Sequence, residues 1–173
     1  MRPFRRRKGR IYAKLGKRDR QVLEYMCDQV EDLLTEDEAD TQTPQWARDL
    51  GLASPPRETP SDPILARLLP DAYADPEQAR EFRRLAEGDL RAAKLRNMAT
   101  VRDRLDDDPL EITEDAQAWL AFLADCRLML GTELEVTEDE SMWPSRDPRK
   151  NLYLYLGWMQ QELVETLMKG GEV

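Results

Sequence analysis

Apolar positions along this chain recur mostly at spacings of three and four, the period of a helix with one buried face. Val22, Leu23, Met26, Cys27, Val30, Leu33 and Leu34 form such a stripe and predict a helix over about 18–34. Trp119, Leu120, Leu123, Cys126 and Leu130 predict another over 114–131. A last helix over 148–168 buries Leu152, Leu156, Met159, Leu163 and Leu167 and stops at Gly170-Gly171. Two short stretches alternate instead, the period of a strand. Residues 10–15 put Ile11, Ala13 and Leu15 on one side, and Leu110–Thr113 is the strand expected to pair with them.

Asp-Pro pairs punctuate the chain at Asp62-Pro63, Asp75-Pro76, Asp108-Pro109 and Asp147-Pro148. Aspartate accepts from free N–H groups at a helix start, and proline at the next position has its φ already set. Three of the pairs therefore predict helix starts, for helices over 63–69, 76–87 and 148–168. Gly88 is expected to break the helix after 87, with Asp89 capping a further one to 105 that carries Leu90, Ala93, Val101 and Leu105. The fold class expected is mostly α: a single-domain bundle of about five or six helices with a minor two-stranded β element. Residues 35–60, rich in acids, Thr and Pro, read as a linker or long loop with one helical turn near 44–50 and Trp46 and Leu50 as anchors.

Charge adds a second layer of organisation. The first twenty residues hold ten Lys/Arg and one acid, +9 against −9 for the whole chain, so residues 21–173 carry −18. Residues 1–9 read as a basic arm and 10–173 as the helical domain. Arg5, Arg6, Arg7, Lys8 and Arg10, with Phe4 and Tyr12 beside them, can meet nucleic-acid phosphate or an acidic partner, or can simply be a solvated terminus. The helix over 89–105 offers another cationic face through Arg91, Lys94, Arg96, Arg102 and Arg104. No pair of short helices with a basic second member reads as a helix-turn-helix. No apolar run approaches a membrane span, and no secretory apolar region follows the basic start, so a cytoplasmic protein is expected.

The 173 residues contain no histidine and two cysteines. Lacking histidine, the chain has no ordinary catalytic triad and few routes to a transition-metal site. It is read as a non-enzyme without cofactor. Cys27 and Cys126 lie on apolar faces, where each is either an inert core residue or half of a reversible disulfide, if the two helices are neighbours. The acid runs at 36–38, 106–108 and 138–140 lack the spacing of a calcium loop and read as solvated charge. Arg127 borders an inward stripe and would need a carboxylate if buried. Gly131 and Gly157 permit close helix approach.

Four blocks occur in order: Asp62-Pro63 with Leu65 and RLLPDAY (67–73); EFRR (81–84) with Leu90, Arg91 and Lys94; DCRLMLGTELEVTED (125–139); and YLGWMQQELVE (155–165). Together they resemble an actinobacterial family of helical proteins of formerly unknown function, typically encoded beside the ClpS adaptor. Members are called actinomycete oxidative-stress regulators. The resemblance implies a cytosolic regulator tied to redox stress, with a protein partner in the transcription machinery such as a sigma factor and auxiliary DNA contact through the basic segment. The alternative is a structural or adaptor protein of protein quality control without DNA binding. No catalytic motif comes with the likeness, and a redox role for Cys27 and Cys126 is a hypothesis about this chain alone.

Overall fold

The computed structural model describes residues 2–35, 46, 58–136 and 146–169. Strands β1 (Phe4–Arg7) and β2 (Arg10–Ala13) lead into α1 (Lys17–Thr35). Then come α2 (Pro63–Leu68), α3 (Pro76–Arg104), β3 (Leu110–Glu111), α4 (Ala116–Glu133) and α5 (Pro148–Met168). The protein is mostly α, as its sequence pattern predicts. Most of the 35–60 segment, its expected turn near 44–50 and Gly170-Gly171 lie outside the described residues, while Trp46 is exposed. No helix among the described residues is long and apolar enough to cross a membrane.

Three helices begin at Asp-Pro as expected. Asp62 accepts from the Leu65 N–H at 2.7 Å, Asp75 from Gln78 at 2.9 Å and Asp147 from Arg149 at 2.9 Å. A cap such as Asp62 contributes about 1 kcal/mol.

The expected break at Gly88 is absent: α3 runs unbroken across it. Glycine in a helix interior costs about 1 kcal/mol relative to alanine, and a buried ion ladder spans the weak point. Glu87 accepts from Arg83 Nη1 at 2.8 Å and from Arg91 Nε at 3.1 Å, each one helical turn away. Arg83 also bonds the Leu69 carbonyl at 3.0 Å and Asp71 at 2.6 Å, and Arg91 bonds the Leu34 carbonyl at 2.9 Å. The ladder thereby ties the ends of α2 and α1 to α3. Leu90, expected to face inward, is instead exposed, since Glu87 and Arg91 occupy the covered side of that turn.

The β element has three strands, in the order β1-β2-β3, both pairings antiparallel. Phe4 pairs with Ala13, Arg5 with Tyr12, Arg6 with Ile11 and Arg7 with Arg10. The turn places Lys8 and Gly9 at φ 51° and 80°, the left-handed values a tight two-residue hairpin needs. Residues 4–7 are therefore a strand of the domain's sheet rather than a free arm. Phe4 is only 1% exposed and meets Trp119 edge-to-face at 6.2 Å between centroids. One buried aromatic outweighs the preference of four neighbouring cations for solvent, because burying its ring is worth a few kcal/mol while the arginines keep their charges in water.

At the centre of the bundle α4 packs against α2, α3 and α5. Its residues Trp119, Phe122, Leu123, Cys126 and Met129 are buried on more than one face, as befits a central helix. From α1, Leu23, Met26, Cys27, Val30 and Leu34 join this core, and from α5, Leu156, Met159 and Leu163. The Tyr155 hydroxyl on α5 donates to Asp19 at 2.7 Å, tying the last helix to the start of α1.

Two stability effects follow. Phe4→Ala is expected to cost about 3–5 kcal/mol in urea unfolding, the usual penalty for emptying a buried aromatic site. A loss below 1 kcal/mol would mean the hairpin is not part of the folding unit. Burial disfavours the Glu87 carboxylate, yet the bonds from Arg83 and Arg91 hold its pKa below the ordinary value. A depressed folded pKa stabilises above the unfolded value, about 4.3, and that stabilisation is lost as pH falls through the folded pKa. Glu87→Gln is thus expected to cost about 3–5 kcal/mol at pH 7, with the gap to wild type narrowing in acid. A gap that is constant with pH would exclude ionic coupling.

Candidate functional site

The β pairing sorts the basic residues of the hairpin by face. Arg5, Arg7, Arg10 and Tyr12 share the outer face, opposite the side that buries Phe4, Ile11 and Ala13. Arg10 pairs with Glu111 of β3 at 3.1 Å, and the bond from this carboxylate raises the guanidinium pKa further. Arg6, on the inner side, reaches past the sheet edge and donates to the Leu167 carbonyl at 3.4 Å, near the negative end of α5. Arg5, Arg7 and Lys8 are exposed and make no ion pair among the described residues. The hairpin therefore presents three unneutralised cations around a tyrosine on a rigid two-stranded ribbon, an arrangement suited to phosphate or to an acidic surface.

Of the second expected cationic face, on α3, Arg96 alone is exposed and makes no ion pair among the described residues. Arg91 is buried against Glu87, and Lys94 bonds Asp125 of α4 at 2.5 Å. Arg102 meets Glu24 at 3.5 Å, Asp28 at 2.7 Å and Glu31 at 2.7 Å, the acidic row of α1. Arg104 pairs with Asp115 at 2.9 Å and Asp107 at 3.2 Å. These cations hold helices together. The carboxylates that neutralise them lie up to 78 positions away, so the sequence showed the charges without their partners. Within the acid run at 106–108, Asp107 belongs to this network, and no group of residues able to hold a metal is found among the described residues. The runs at 36–38 and 138–140 lie outside them.

Cys27 and Cys126 are fully buried free thiols in one core cluster. The Cys27 Sγ lies 3.9 Å from the Met98 carbonyl. Burial pushes its pKa up to about 12, against a partial opposing pull from Arg102. Burial likewise raises Cys126 well above the ordinary thiol value, and the nearby Cys27 and Asp125 add to the effect. Both thiols are protonated at neutral pH, and a protonated buried thiol is a poor nucleophile.

Arg127 is half-buried and meets no carboxylate among the described residues. Its Nη1 donates to Gln160 Oε1 at 2.8 Å and its Nη2 to the Tyr153 hydroxyl at 3.3 Å, with the guanidinium carbon 5.0 Å from the centroid of that ring. Gly157 makes room for it: a β-carbon there would sit 3.3 Å from Arg127 Nε. Gly131 does the same for Tyr153, at 3.2 Å. The close approach expected at both glycines is thus present, and each receives a side chain of the facing helix. Tyr153 and Gln160 were not singled out in the sequence, although Tyr153 precedes Gly157 by one helical turn on the same helix.

Comparison with known proteins extends the likeness seen in four blocks to nearly the whole chain. Oxidative stress regulator AosR of Mycobacterium tuberculosis is 29% identical over 180 aligned positions, covering 92% of this chain and 83% of that protein. Oxidative stress regulator AosR of Mycobacterium bovis matches to the same extent. No solved structure matches. A family model described as Domain of unknown function (DUF2017) matches residues 1–167, from the hairpin through α5, and the chain belongs to that family.

Proposed function

We propose that this protein is a non-enzymatic regulator linked to oxidative stress, which works in the cytoplasm by binding and presents the outer face of the basic hairpin to an acidic partner. The observation that carries this reading is the end-to-end likeness to proteins named oxidative stress regulators. The open cations Arg5, Arg7 and Lys8 supply a contact surface, while the acidic remainder of the chain keeps nonspecific nucleic-acid coating weak. DNA phosphate beside a transcription protein is the partner setting that this surface fits. The non-enzymatic part rests on a chain without histidine, whose thiols are shielded and protonated.

A link to oxidants through Cys27 and Cys126 would begin with opening of the core between α1 and α4, because neither sulfur meets solvent in the closed fold. Two thiols then give up two electrons and two protons to one peroxide, forming one disulfide and two waters. In the chain-entropy account a crosslink closing so long a loop contributes about 4–5 kcal/mol when unstrained.

Two measurements test this function. Native Cys27 and Cys126 are expected to react with a thiol reagent at the rate of core opening, orders of magnitude below their rate in urea. Fast native labelling, or a full oxidant response in Cys27→Ser, would defeat the thiol route. Binding to a duplex DNA probe is expected to weaken with salt, and Arg5→Gln/Arg7→Gln should reduce the log–log slope by about 2. An unchanged slope would remove DNA from the reading and leave an acidic protein surface as the partner.

A further inference from the structure

An open cavity of about 640 Å³ lies between α2, α4 and α5, a size that takes a small organic molecule. Arg67 comes to it from α2 and Arg127 from α4, while Tyr153 and Gln160 line it from α5 and Leu128 and Val136 supply apolar wall. The place is unusual in how its charge is left. The buried guanidiniums of Arg83 and Arg91 and the partly covered one of Arg102 all have carboxylates. Among the described residues, Arg127 is served by a neutral amide and a neutral hydroxyl, and Arg67 makes no ion pair.

The donor inventory points the same way. A guanidinium carries five N–H groups, and the bonds to Gln160 and Tyr153 engage two. Each Nη keeps a second N–H, while the Nε–H is buried against Gly157, without a hydrogen-bond partner among the described residues, as the Nε–H groups of Arg83 and Arg102 also are. Gln160 and the Tyr153 ring hold the fork in place, so little rotamer freedom is left to lose on binding an acceptor. Glu135 also lines the cavity and pairs with neither arginine, leaving a net lining charge of +1.

We infer that this cavity binds a small molecule through an oxyanion group, carboxylate or phosphate, held by Arg127 and Arg67, with its apolar part against Leu128 and Val136. The site is separate from the basic hairpin and does not depend on the regulatory reading. Arg127 is the anchor, fixed before the ligand arrives, and exposed Arg67 closes on the anion from the facing helix.

The test is a titration of the ¹⁵N-labelled full chain at low salt with phenyl phosphate and, separately, benzoate, into the millimolar range. The amides of Gly131 and Gly157 and the Arg127 Nε–H are followed. Saturable shifts at these positions are expected with one probe or both; the tighter probe assigns the ligand to phosphate esters or to carboxylates. Arg67→Gln should weaken the binding about tenfold, the worth of one charge-assisted bond, and Arg127→Met should abolish it. Arg67 is exposed and unpaired, so its variant reports on binding even where Arg127→Met fails to fold. No saturation with either probe, or undiminished affinity in Arg67→Gln, would overturn the inference.

Discussion

The fold depends on one carboxylate. Glu87 sits between Arg83 and Arg91 in the covered part of α3, and through them reaches the end of α2 and the last turn of α1. Removing it would take a carboxylate away from two buried guanidiniums, a larger penalty than losing a surface pair. The ladder also spans the glycine inside a continuous 29-residue helix. It satisfies backbone carbonyls that the ends of α1 and α2 leave open, a need that no apolar side chain could meet.

Much of this architecture was legible in the chain. Periodicity identified the helices, because each buries a stripe or more of aliphatic side chains, and Asp-Pro marked three of their starts to the residue. What escaped was decided by partners far away in sequence. Gly88 reads as a break unless Arg83, Glu87 and Arg91 are seen to bind across it. Residues 4–7 read as solvated charge unless Trp119 is known to wait for Phe4. The same holds for the candidate surfaces. Arg102 looks like a free cation until α1 supplies Glu24, Asp28 and Glu31, while Arg127, expected to find an acid, finds none among the described residues.

The two redox candidates and the basic residues stand at opposite extremes of access. The thiols share the core with Trp119 and Leu123 and meet solvent only when helices part. The hairpin cations are already in water. Phe4 links the two regions structurally, being both a residue of the cationic strand and an edge-on neighbour of the central helix's tryptophan.

The paired glycines of α4 and α5 carry a mechanical consequence. Gly131 receives Tyr153 from the facing helix, and Gly157 receives Arg127 in return. Two knobs in two sockets, pointing opposite ways, fix the axial register of the helices like a pair of dowels. Sliding either helix by one residue would drive both side chains into backbone, where close-packed matter does not yield. The α4–α5 pair therefore resists axial sliding.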